Sequence, residues 1–367
     1  MNQEGIRTPL FRPQQELGAD FTVGLGWLWA KNFGDPRGEY QAVRSAVGLW
    51  DASPHTKWDF RGADAITALD RIFTRDLTGM DVGRVCYGPF CDHDGKMLGD
   101  GTVFRFAGDH FWLVTAPGTE SDLEHFKQVA GDLEVAITNH TIQLPQLGIN
   151  GPGSRALLSQ LCSRDLSSLR WYRFWPEQVE VGGVSCWVSR SGYSGELGYE
   201  LFFAPDDGER LWGLLTSAGA RPYGLDAIEW IRIESGLIAM GADFRARETS
   251  PFDVSLDRFI DLSKRAYSGK AALEVEAQAP RNRLVTLVID GDQPPVGASV
   301  VCDGKNVGTL TSPCTSPALG NVIALAIVGR AALRSGRPLQ VVTDGQGAAA
   351  TAAPLSIIDP DKHRPRA

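Results

Sequence analysis

The sequence is poor in the residue patterns that would make a metal, redox or membrane protein. Its six cysteines (Cys86, Cys91, Cys162, Cys186, Cys302 and Cys314) contain no C-x-x-C pair, and its six histidines are equally dispersed. Neither a zinc site nor a dithiol redox centre is therefore signalled. No apolar run approaches the ~20 residues that a bilayer-crossing helix needs. The opening stretch, MNQEGIRTPLFRPQQ, is polar and lacks the apolar heart of a signal peptide. Basic runs and basic-aromatic interleaving are missing too. With 36 Lys and Arg against 44 Asp and Glu, the net charge of −8 argues against nucleic acid as a partner. No Ser-His-Asp order, Cys-His pairing or paired-carboxylate motif supports a nucleophilic hydrolase. These absences describe a reduced, cytoplasmic, metal-independent protein.

What is present is enough apolar residue for a large core. Over 367 residues, 43% are hydrophobic and 22% charged, which fits a soluble protein of two or three domains. The first half alternates helical and strand signals. Tyr40, Val43, Ala46 and Val47 recur at helical spacing, with Gly48 expected to end that helix. Ile66, Leu69 and Ile72 form a second stripe. Asp94-Gly95 then marks a hairpin between short apolar runs, and a second hairpin turns around Ala107-Gly108-Asp109. From Arg283 the character changes to short strands with Gly-containing turns, as expected of a separate C-terminal β domain.

Two charged residues sit where apolar ones belong. In SRSGYSGELGYELFF, Tyr199, Leu201 and Phe203 point one way and Glu200 points the other way with Phe202. A carboxylate among apolar neighbours needs a fixed donor, from the protein or from a ligand. On the helix begun at Leu225, Arg232 falls inside the apolar arc of Leu225, Ile228 and Ile231. A buried guanidinium demands an anionic or carbonyl partner, of which Glu200 is one candidate and a ligand another. Asp100 lies between Gly99 and Gly101, where the lack of side-chain bulk would let a ligand approach, unless it is an ordinary turn aspartate. Tyr193 could stack on a planar ligand or simply pack its turn. Tyr87 and His55 are structural by default. Trp27, Trp29, Trp50 and Trp58 crowd the first quarter, and such an aromatic wall suits a flat methoxy-arene or an onium cation.

Taken together, these segments resemble the glycine-cleavage T-protein (aminomethyltransferase) superfamily of folate-dependent one-carbon transferases. AVRSAVGLWDASPHTKWDFRG is similar to the family's helix-then-strand entry, and YGPFCDHDGKMLGDGTVFRF to its Tyr-bearing hairpin ending in Asp. SRSGYSGELGYELFF is close to the signature S-R-T-G-Y-T-G-E-x-G-[FY]-E, and GLDAIEWIRIESGL to the family's G-x-x-A-R-D-x-L-R-L-E-x-G-L helix. TSPFDVSLDRFIDLSKRAYSGKAAL and VGTLTSPCTSPALGNVIALAIV are similar to the next two blocks, so the likeness runs over nearly the whole chain.

The resemblance implies an α+β fold, a three-domain ring or cloverleaf with a central folate channel and a C-terminal β-barrel-like domain. The expected units are residues 1–52 with 137–235, residues 53–136 with 236–279, and residues 280–367. It implies tetrahydrofolate as cosubstrate, with Tyr87, Tyr193, Glu200 and Arg232 lining the pterin pocket and Arg364 or Arg366 holding the folate tail. Asp100 would sit beside the accepting nitrogen. The chain departs from the family where D-[VI]-S-H-M becomes Asp51-Ala-Ser-Pro54-His55, and where Asp-Asp becomes Gly99-Asp100. Those changes face the donor side. They argue against a lipoyl carrier protein and for a small-molecule methyl donor, a methoxy-arene or a sulfonium such as dimethylsulfoniopropionate. His55 would then protonate a leaving group. A glycine-cleavage aminomethyltransferase and a non-catalytic folate-binding assembly protein are the alternatives.

Overall fold

The computed structural model describes residues 5–118 and 120–367, and in it the hydrophobic pattern closes into two sheets and a barrel. The first sheet has six strands in the order Val179–Val181, Val184–Ser189, Gly198–Phe202, Gln146–Asn150, Gly48–Asp51, Arg221–Pro222. The second has five, ordered Val85–Cys91, Met97–Arg105, His110–Thr115, Thr56–Arg61, Ala136–Asn139. The two hairpins expected around Asp94-Gly95 and Ala107–Asp109 are in this sheet. Asn282–Ile289 begins a closed six-stranded barrel that ends with Gln346–Ala353. A ribbon of Asp20–Gly24 and Trp27–Asn32 completes the strands named here.

Each sheet buries one face against helices, as alternation requires. Tyr199, Leu201 and Phe203 join Leu147, Ile149, Leu211, Trp212 and Leu215 in one core, which packs the helix Gly208–Ser217 on the first sheet. Trp58, Phe60, Leu69, Ile72, Phe111 and Phe126 form the corresponding core of the second sheet. The opposite face of the strand Gly198–Phe202 turns toward the second sheet: the Phe202 ring lies 5.6 Å from both the Phe104 and Trp112 rings. Glu200 shares that face, so the fold points it into the space between the two sheets.

One boundary differs from expectation. The helix Pro36–Ser45 starts on an Asp35 cap and stops before Gly48, which opens the next strand. A β-carbon at Gly48 would stand 2.4 Å from the Val43 side chain and 2.8 Å from the Tyr223 ring, so close helix-to-strand packing explains the glycine.

Candidate functional site

Glu200 pairs in register with Gly148 on one side and Ser189 on the other. Its Oε1 accepts from Gln146 Nε2 at 2.6 Å and its Oε2 from the Ser191 hydroxyl. A carboxylate offers about four acceptor positions, so the polypeptide fills half of them. The protein thus supplies two of the donors that Glu200 can take. Burial pushes its pKa up, while Ser191, Gln146 and the charge of Lys57 oppose that shift. Gln146 is itself clamped, because its backbone N–H bonds Ser53 Oγ at 3.1 Å. Its side-chain Oε1 is buried without a hydrogen-bond partner.

Across the gap, Tyr87 donates to Asp100 Oδ2 at 2.6 Å. Asp100 is carried on the strand Met97–Arg105, and burial pushes its pKa up to about 6 despite that hydrogen bond. Its flanking glycines have a different cause from the one expected. A β-carbon on Gly99 would lie 2.7 Å from the Phe90 ring, and one on Gly101 would lie 2.6 Å from the Val114 carbonyl. Side chains alternate along a strand, so both positions face away from Asp100. The glycines are accounted for by close packing against the Phe90 ring and the Val114 carbonyl.

Arg232 is buried, as the helical arc implied, but Glu200 is not its partner. Its Nη1 donates to Asp243 at 2.8 Å, its Nε and Nη2 to Glu229 at 2.8 and 2.6 Å, and Nη2 also to Ser312 at 2.9 Å. Asp243 further accepts from the Ala239 N–H and from the hydroxyls of Thr311 and Ser312. The helix Leu225–Ser235 is thereby tied to the barrel strand Lys305–Thr315. One of the five guanidinium N–H groups, on Nη1, has no partner in this set. Asp243 gave no periodic signal, lying outside regular structure.

Tyr193 connects these parts. Its hydroxyl donates to the Ile238 carbonyl at 2.7 Å, and its ring lies 6.4 Å from Trp50. Burial raises its pKa, and Arg232, Asp243 and Asp100 all lie within electrostatic reach. Trp50 also meets His55 edge-on at 5.3 Å and Trp29 in a stack at 6.1 Å. Burial, helped by the nearby Lys57 charge, pushes the His55 pKa down to about 3. A ring held neutral at pH 7 lends no support to the proton-donor role expected of it. The group on this turn that titrates near neutrality is Lys57, which is fully buried and whose pKa falls to about 7. The sequence reading passed over it; a lysine between Thr56 and Trp58 in an apolar strand was the available signal. Tyr172, whose pKa burial and Glu200 raise to about 12, was missed as well.

Arg364 reaches the signature loop without touching Glu200. Its Nη1 donates at 2.8 Å to Glu196, which also accepts from Arg44 at 2.9 Å. Arg366 lies over the Trp171 ring at 4.8 Å. Near them Lys362 donates to the Ser235 carbonyl, and burial together with Arg258 lowers its pKa to about 8. Among the described residues, no cluster of His, Cys, Asp and Glu could hold a metal ion, and no helix is long and apolar enough to cross a membrane.

This arrangement of one half-buried carboxylate with two protein donors, a second held by a tyrosine, and a C-terminal barrel has relatives. The family model for the GCVT N-terminal domain matches residues 10–264, and that for the glycine cleavage T-protein C-terminal barrel domain matches residues 282–359. The chain belongs to the glycine cleavage T-protein family. Among curated members, an aminomethyltransferase of Rubrobacter xylanophilus is 34% identical over 325 residues, covering 88% of this chain and 87% of the relative. One from Moorella thermoacetica is 32% identical, covering 93% and 94% of the two chains. The crystal structure of the glycine cleavage system aminomethyltransferase T from Bartonella henselae superposes with a TM-score of 0.88, over 97% of this chain and 98% of that one, at 23% identity. That likeness establishes the T-protein fold, mixed α+β with a six-stranded barrel. Tetrahydrofolate is the cosubstrate of T-proteins, and the acceptor capacity of Glu200 fits a ligand rich in N–H donors.

Proposed function

We propose that this T-protein is a tetrahydrofolate-dependent one-carbon transferase, and that the unit it moves is borne on an aminomethyl group. The observation carrying the first part is Glu200, a half-buried carboxylate to which the polypeptide gives two donors. A ring amine and amide aimed there would gain charge-assisted hydrogen bonds, which offsets the cost of burying the charge. The name shared by the curated relatives, aminomethyltransferase, supports the second part. It moves the small-molecule methyl donor, favoured on sequence alone, to second place and reopens the lipoyl carrier as donor.

In this proposal Glu200 and Tyr193 hold the pterin, with Tyr87 lining it and Arg232 fixing the wall behind Tyr193. Arg364, which donates to Glu196 of the signature loop, is the C-terminal basic residue assigned to the folate tail. The bound folate supplies the nucleophilic nitrogen that receives the carbon. Asp100, kept near half-protonation at about pH 6, is suited to hold or pass a proton at that nitrogen, and Tyr87 fixes its orientation. The Trp29–Trp50 stack excludes water on the His55 side. The site would lie where the units 1–52 with 137–235 and 53–136 with 236–279 meet, closed by 280–367.

The experiment is product identification. The protein is incubated with tetrahydrofolate and an aminomethylated lipoyl carrier, then assayed for ammonia and methylene-tetrahydrofolate. The expected result is stoichiometric formation of both. A demethylase remains the second reading because Pro54 and His55 replace the family's His-Met pair beside two tryptophans. It would give 5-methyltetrahydrofolate from a sulfonium or methoxy-arene and no ammonia. Absence of product from every donor would refute both.

A further inference from the structure

Lys57 is a buried cation that the proposed chemistry does not use. It lies on the strand Thr56–Arg61, is 0% exposed, and its Nζ donates to the Ser53 carbonyl at 3.0 Å. Among the described residues it makes no ion pair within 4.0 Å, unlike the buried Arg232 and Arg44, which each touch carboxylates. Burying an ammonium on one carbonyl is costly, and a structural role would be filled better by an apolar residue. The acids whose charge reaches it are Asp51 and Glu200.

Asp51 is already provided for. Its Oδ2 accepts from Thr8 at 2.6 Å and Gln14 at 2.8 Å, and its Oδ1 from the Ser53 N–H at 3.0 Å. Glu200 is not, since two of its acceptor positions are open. Ser53 and Gln146, by separate hydrogen bonds of their backbone and side chains, also lie between Lys57 and Glu200. Lys57 bonds Ser53, the Ser53 hydroxyl and the Gln146 backbone bond each other, and the Gln146 amide bonds Glu200.

We infer that Lys57 is a positioning residue of the folate site, whose buried ammonium keeps Glu200 charged to receive the ligand's N–H donors. This rests on the folate reading of Glu200 above. The groups facing Lys57 are Asp51 and Glu200, which are acidic, and His55, which is neutral near pH 7. The sign follows directly. Below about pH 7 Lys57 is charged and holds the Glu200 pKa down. Above it the lysine is neutral and that assistance is gone.

The test is calorimetric titration with tetrahydrofolate at about pH 6 and about pH 8, on wild type, Lys57→Met, Lys57→Arg and Glu200→Gln. Lys57→Met should bind roughly tenfold more weakly at the lower pH and equally well at the higher one. Lys57→Arg, which keeps the charge, should follow wild type at the lower pH. A loss for Lys57→Met that is the same at both pH values means a packing role and overturns the inference, as does no loss at either. If Glu200→Gln binds like wild type, the folate reading itself fails. If Glu200→Gln loses binding while Lys57→Met shows no pH-dependent loss, only the role of Lys57 is wrong.

Discussion

Replacing Arg232 by methionine separates a wall-building role from a ligand-binding one. The substitution strands Asp243, whose side chain is fully buried, as an anion facing only neutral donors: the Ala239 N–H and the hydroxyls of Thr311 and Ser312. Removing one partner of a buried pair costs about 3–5 kcal/mol. The surviving hydrogen bonds place this case near about 3 kcal/mol. The second ion pair adds little, because Glu229 is 54% exposed and such a pair is worth about 0–1 kcal/mol. Urea unfolding followed by circular dichroism should show a lower midpoint. The barrel, which Arg232 and Asp243 fasten to the helix Leu225–Ser235, should melt earliest. Adding Asp243→Asn to Arg232→Met removes the stranded charge and should recover at least half of the loss. A stability change under about 1 kcal/mol, or no recovery in the double variant, would refute the reasoning and make Arg232 chiefly a ligand donor.

Asp100 gives three more expectations. Its pKa is raised from 3.8 to about 6, so between those values the folded protein holds a proton that the unfolded chain has released, and stability falls as pH rises through this window. Asp100→Asn should therefore be more stable than wild type above about pH 7, by about 3 kcal/mol, while losing transfer activity; thermal melts across pH check this. If ionised Asp100 is the active form, single-turnover rates should rise through about pH 6 in wild type. Tyr87→Phe removes a hydrogen bond that favours the ionised form, so the same profile should move to higher pH. Gly101→Ala drives a methyl group to within 2.6 Å of the Val114 carbonyl and should destabilise by about 1–3 kcal/mol in chemical unfolding.

Local rules sufficed for the elements and for the anomalies. Period-2 alternation set Tyr199, Leu201 and Phe203 in the core with Glu200 opposite, and helical period buried Arg232. Both follow from backbone geometry that neighbours do not change. Partner identity did not follow. Arg232 found Asp243 and Ser312, distant by 11 and 80 positions, and Glu200 found Gln146, distant by 54. No periodicity links such residues, because loops and sheet order bring them together. The glycines beside Asp100 were likewise visible in sequence, while their cause, the Phe90 ring and the Val114 carbonyl behind the strand, was not.

The sequence by itself therefore determined the family, the alternating strands, the C-terminal β unit, the burial of Arg232 and the face on which Glu200 stands. The tertiary structure decided their environments: a neutral His55, a Lys57 balanced near neutrality, an Asp100 poised near pH 6, and a Glu200 only half supplied with donors. The reason is physical. Side-chain direction is a property of a few consecutive residues, whereas desolvation and charge coupling sum over every group nearby in space, whatever its place along the chain.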